Sequence, residues 1–360
     1  MHSTLLVGPA DWDPAVLPRA EFAARLAALW DTGPEAQGAV VYGNPRHHAE
    51  LAWLTNFTPK LEAGLALIPR AGEATLLVGG GPNMLPAAKP LTFIEKLQPL
   101  RNAGAAVAAW AQEIGARRIM LIAGDAMPAP MRQALAHAVA PVALQDAGGR
   151  VRDLMRRKSA HERALIREAC TTLDTAAAAL AEAHRRGAGA TEAVLAAERA
   201  ANRRQAQDVR TLFSLDEGRT LRPFEVSVET HVDPLQAYVA VRHAGYWAEG
   251  FVVLSSRPQA VHDVAQAALR STLPLVKAGA RRGDIADALA ERGGASHPVA
   301  AVSSVSLGLS LDDPDDQDET LIEGEVLSLR AGVLGDGGAA IVSAVVVIEA
   351  PGNTVLWQSP

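Results

Sequence analysis

Three apolar runs near the C-terminus, "EVLSLRAGV" (Glu325–Val333), "AAIVSAVVVIEA" (Ala339–Ala350) and "NTVLW" (Asn353–Trp357), constrain this chain most. Short β-rich runs separated by glycine-containing turns pair as antiparallel neighbours. Strands dominate beyond residue 210, interrupted by helical patterns at Gln259–Ala278 and Arg282–Arg292. The order of helices, strands, helices, strands predicts an α+β domain.

The first half reads differently. After a helical stretch at Arg19–Leu29 come short apolar runs at Gly38–Gly43, Gly64–Pro69, Ala74–Gly79 and Arg118–Ala123. Helical patterns at Leu100–Ile114 and Ala129–Val139 lie among them. Such alternation predicts an α/β layer with a largely parallel sheet. The halves meet in "DAGGRVRDLMRRKSAHER", where paired glycines end one unit and a long helix starts after Ser159, a residue suited to cap it. Helices are expected at about Ala160–Arg186 and Thr191–Asn202. The expected domains are residues 1–150 and 151–360.

Composition excludes several classes. The 360 residues are 49% hydrophobic and 21% charged, enough for a large core. With 34 basic and 40 acidic residues the formal charge is −6, so neither nucleic acid nor an anionic membrane is the expected partner. No run of about 18 apolar residues suggests a membrane span. The N-terminus lacks the basic-then-apolar pattern of a signal peptide, and a cytoplasmic protein is expected. The one cysteine, Cys170, excludes an internal disulfide; its helical setting marks a buried thiol.

The order of several phrases identifies a resemblance. "AWLTNFTPKLEAGLALIPRAGEATLLVG" (52–79), "LMRRKSAHERALIREACTTLDTA" (154–176), "GYWAEGFVVLSS" (Gly245–Ser256), "VSLGLSLDDP" (Val305–Pro314) and "EGEVLSLRAGV" (Glu323–Val333) resemble the landmarks of the creatinase, prolidase and aminopeptidase P superfamily. The resemblance implies an α+β pita-bread C-terminal domain preceded by a smaller α/β creatinase-like N-terminal domain, and a homodimer. It also implies that Lys60 and Glu62 of the N-terminal domain reach a neighbouring subunit's pocket.

Metal-dependent members of that superfamily hold two divalent ions with two aspartates about eleven positions apart, one histidine and two glutamates, and generate a hydroxide nucleophile there. Carried over by position, these ligands fall at Tyr238, Glu249, Val305, Arg330 and near Val342. One carboxylate cannot hold two dications, and Arg330 adds a positive charge at their place. No metal and no other cofactor is therefore expected.

Creatinase, which the chain resembles in this respect, hydrolyses a C–N bond without metal. By that resemblance, His231 in "ETHVDP" is a candidate proton carrier, a role suited to an imidazole of near-neutral pKa. Glu249 could orient it or bind an amine, and Tyr238 could donate to an oxyanion. Arg330 could clamp a carboxylate, with Arg242, His243 and Trp247 lining the same pocket. Glu249 lies between Trp247 and Phe251, an apolar setting that invites a partner such as Arg330. The expected function is a metal-independent enzyme acting on a small polar metabolite. The alternatives are a non-catalytic binding protein of the same fold and a residual Xaa-Pro-type metallopeptidase.

Other segments read as plain structure. Adjacent histidines in "NPRHHAE" (Asn44–Glu50) diverge and chelate poorly. "VGGGP" (Val78–Pro82) lacks the lysine of a phosphate loop. "LDDPDDQDE" (Leu311–Glu319) lacks the ligand spacing of a calcium loop.

Overall fold

A computed structural model describes residues 11–223, 226–292, 299–311 and 318–360. The acidic loop segment 312–317 lies outside the described residues. Contacts divide the chain into two units between Met155 and Arg156.

The first unit runs α1 (Arg19–Thr32), β1 (Gly38–Gly43), α2 (Ala49–Thr55), β2 (Gly64–Pro69), β3 (Thr75–Val78), α3 (Leu85–Ala88), β4 (Lys96–Pro99), α4 (Ala103–Glu113), β5 (Arg118–Ile122), α5 (Ala129–Val139), β6 (Ala143–Asp146) and α6 (Gly148–Arg156). Its six strands lie in the order β4-β3-β2-β1-β5-β6. β1, β2 and β3 are buried along their whole length, as continuous apolar runs require. The sheet is mixed, which corrects the expected parallel layer: β1–β2 and β2–β3 are antiparallel, while β1–β5, β3–β4 and β5–β6 are parallel. The link from Pro69 to Thr75 is too short for a crossover, so β3 must return beside β2. The edge strands β4 and β6 are half exposed and mix polar with apolar residues, so they carry no apolar run to betray them. The paired glycines Gly148 and Gly149 open α6; they do not end a unit.

The second unit holds α7 (Ala160–Arg185), α8 (Ala190–Arg203), β7 (Asp208–Ser214), β8 (Leu235–His243), β9 (Tyr246–Leu254), α9 (Ala260–Thr272), α10 (Arg282–Arg292), β10 (Val299–Ser306), β11 (Val326–Gly335), β12 (Gly338–Glu349) and β13 (Gly352–Gln358). Ser159 caps α7 as expected, in a reciprocal box with Glu162: each side chain bonds the other's backbone N–H. Cys170, on α7, is buried, and burial pushes its thiol up to about 12. α9 stops at Thr272, short of the expected Ala278, because Pro274 opens a tighter 3₁₀ turn.

Two antiparallel sheets follow, β7-β8-β9 and β10-β11-β12-β13, with the three C-terminal runs paired in sequence as their pattern predicts. α9 and α10 cover one face of the second sheet. Val261, Leu269 and Leu289 pack there against Leu327, Leu329, Val342 and Val346. Strand side chains alternate between faces, so Ser328, Arg330 and Ser343 lie on the other face. Among the described residues no helix is long and apolar enough to cross a membrane.

Candidate functional site

The β8–β9 turn sets the site. Ala244 and Gly245 both have positive φ (45° and 89°), the conformation of a tight two-residue hairpin whose twist matches its strands. The Gly245 N–H donates to Gln207 Oε1 at 2.6 Å, which pins the turn to the start of β7. The resulting register pairs Arg242 with Trp247, Ala240 with Glu249, and Tyr238 with Phe251. These residues share one face. The next residue, Gly250, faces the opposite way, and a Cβ there would lie 2.2 Å from the ring of Trp357.

On that face Tyr238, Glu249 and Arg330 form one group. The Tyr238 hydroxyl donates to Glu249 Oε2 at 2.6 Å. Arg330 Nε donates to Glu249 Oε1 at 2.8 Å, and its Nη2 donates to the same oxygen. The Glu249 side chain is 1% exposed and that of Arg330 is 26% exposed. A carboxylate this deep needs a cation and donors to remain charged, and it has both. The partner expected for Glu249 is thus the one it has. Burial pushes the Tyr238 phenol well above the usual range, and the Glu249 charge and hydrogen bond push it further, so Tyr238 acts as a donor. Phe251 lies beneath both neighbours, its ring 5.1 Å from that of Tyr238 and 5.8 Å from the Arg330 guanidinium. Its backbone N–H donates to Ser343 Oγ at 3.0 Å, which ties β9 to β12.

Arg242 and Trp247 continue the face, with the guanidinium 5.5 Å from the ring centre. Arg210, on β7, lies over the same ring at 4.6 Å. Sequence reasoning passed over Arg210; its one signal was a basic residue inside the strand-like run "DVRTLFS".

His243 is separated from the group. It is one residue from Arg242, hence on the opposite face of β8, toward Glu168 and Arg204. Burial there pushes its pKa down, and its Nδ1 has no hydrogen-bond partner. His231 is exposed in the loop before β8. Its Nδ1 bonds the Ala188 carbonyl at 3.1 Å, and its ring lies 4.5 Å from that of His184. These contacts turn it toward α7 and α8, not toward Glu249. Lys60 and Glu62, both exposed, line a shallow cleft in the first unit with Phe57, Met84 and Leu91; Glu62 accepts from the Gly80 N–H at 2.8 Å.

The donor set does not fit a dinuclear metal centre. Both oxygens of Glu249 are bonded to Tyr238 and Arg330, and the guanidinium brings positive charge to the carboxylate. Val305 presents a methyl group opposite Ser328. Val342 belongs to the apolar core, and its neighbour Ser343, opposite Arg330, supplies the face with a hydroxyl. Among the described residues no three His, Cys, Asp or Glu side chains are grouped to hold a metal ion.

A mixed-sheet first unit followed by this two-sheet, helix-covered unit is the architecture of the pita-bread peptidases. A prolidase from Pyrococcus horikoshii OT3 is similar over 94% of this chain and 99% of its own, with a TM-score of 0.76 and 16% identity. An X-Pro aminopeptidase from Thermotoga maritima MSB8 is similar over 94% and 98%, with a TM-score of 0.79 and 16% identity. A dipeptidase from Mycobacterium ulcerans covers 98% of each chain, with a TM-score of 0.74 and 18% identity. The likeness is one of fold. No family model matches the sequence. No curated protein matches it significantly.

Proposed function

We propose that this chain recognises a small carboxylate-bearing metabolite, without metal, on the face that carries Tyr238, Glu249 and Arg330. The observation that carries this reading is the state of Glu249: both its oxygens are engaged, by a tyrosine and an arginine. A carboxylate so occupied is a poor metal ligand and a poor general base, but it holds the guanidinium rigidly for a ligand. Arg330 Nη1 remains available to an acceptor, since Nε and Nη2 are the nitrogens that bond Glu249.

Hydrolysis of a C–N bond in that metabolite is the reaction this reading assigns. One observation favours it: the fold is shared with a prolidase and an X-Pro aminopeptidase. The deciding experiment is a thermal-shift screen of a metabolite library, followed by product analysis of each stabilising compound. Ligands that stabilise the wild type but not a Glu249→Gln, Arg330→Met double variant support the site. Release of an amine and a carboxylate from a bound compound supports hydrolysis. Binding without turnover makes the chain a non-catalytic binding protein.

A further inference from the structure

The face of β8 and β9 that holds Tyr238, Glu249 and Arg330 carries more positive charge than this group uses. Along β7, β8, β9 and β11, its described charged side chains are Asp208, Arg210, Arg242, Glu249 and Arg330, three guanidiniums against two carboxylates. Arg242 is nearly buried, whereas Arg210 and Arg330 reach solvent.

Arg210 is placed by its neighbours. It stands opposite Ala240, whose small side chain lets the arginine cross β8 and lay its guanidinium 4.6 Å over Trp247 on β9. The stacking orients a cation without consuming its N–H donors. Its acidic neighbour Asp208 is 3.6 Å from Nε, too long for a strong hydrogen bond, and the Arg210 side chain is 48% exposed. Both Arg210 and Arg330 exert their charge on Tyr238, so the phenol lies within reach of both fields.

The two heads do not converge on one point. Arg210 lies over Trp247 and Arg330 lies over Phe251, two residues on the same face of β9. Along an extended strand these two residues are separated by on the order of 13 Å, so each guanidinium takes its own position on the face. A ligand with a carboxylate at each end would engage both cations. We propose that Arg210 is a specificity-determining residue, and that the ligand is a small dicarboxylate with one end on Arg330 and the other on Arg210. This rests on the reading of the face as a carboxylate site and adds the second anchor and the ligand's second charge.

Calorimetric titration with succinate, glutarate and butyrate tests the assignment on the full chain. Wild type should bind a dicarboxylate more tightly than butyrate by roughly tenfold to a hundredfold, the range for one further charge-assisted bond. Arg210→Met should erase that preference while butyrate binding persists, and Arg210→Lys should restore it in part. The Glu249→Gln, Arg330→Met double variant, which leaves no unpaired carboxylate, should lose both ligand types. An Arg210→Met protein that keeps the dicarboxylate preference overturns the role of Arg210 and leaves the Arg330 site standing. A wild type that binds butyrate as well as the dicarboxylates overturns the second anchor. Wild type that binds no carboxylate overturns the reading of the face, and the inference with it.

Discussion

Tyr238 and Glu249 lie eleven residues apart in sequence and are joined by a 2.6 Å hydrogen bond across the β8–β9 hairpin. With Arg330 on the other side of the carboxylate, the bond closes a three-residue group spanning both sheets of the second unit. The group makes the first test one of stability.

Arg330→Met leaves Glu249 buried and charged beside only a tyrosine. Loss of one partner from such a pair costs about 3 kcal/mol, whereas neutralising both partners costs much less. Urea unfolding of the single variant should show that loss, and the Glu249→Gln, Arg330→Met double variant should recover most of it. Equal midpoints for wild type and Arg330→Met would dismiss the pair as a structural element.

Tyr238 gives a pH signature. Its folded pKa is raised above the ordinary tyrosine value of 10.0, first by burial and then by Glu249. A native state that keeps a proton the unfolded state releases loses stability as pH rises past that value. The stabilisation is complete below pH 10.0 and declines above it. Tyr238→Phe removes the titration, so its unfolding midpoint should fall less steeply in alkali than that of wild type.

Metal addition separates the fold from the peptidase chemistry of proteins that share it. Manganese, zinc or cobalt should leave the melting temperature unchanged, and purified protein should hold no stoichiometric ion. Cleavage of an Xaa-Pro dipeptide that requires added metal would restore the metallopeptidase reading.

Ser159 offers a test of a purely local signal, the serine–glutamate spacing at the start of α7. Its hydroxyl accepts from the Glu162 N–H at 3.2 Å while Glu162 reaches back to the Ser159 N–H at 3.0 Å. Ser159→Ala should cost about 1 kcal/mol, measured by denaturant unfolding, and Ser159→Asp should restore part of it.

The sequence alone determined the elements whose pattern is local. The apolar runs of β1, β2, β3 and β5, the cap at Ser159 and the consecutive β11–β13 strands are each dictated by residues adjacent in the chain. No rearrangement turns Val305 or Arg330 into a carboxylate, so neither position offers a metal an oxygen ligand. The pairing of Glu249 with Arg330 was legible for the same reason: a carboxylate set between Trp247 and Phe251 demands a cation.

Only the tertiary structure decided which side chains share a face. A hairpin turn at Ala244–Gly245 fixes the β8–β9 register, and strand alternation then puts Arg242 on the face of Trp247 and His243 on the opposite face, toward Glu168. The same alternation assigns Ser343 to the site and Val342 to the core. Arg210 entered because β7 pairs with β8, and β4 and β6 escaped notice because edge strands need no apolar run. Pattern along a chain reports burial, whereas register between strands reports proximity, and proximity makes the site at Glu249.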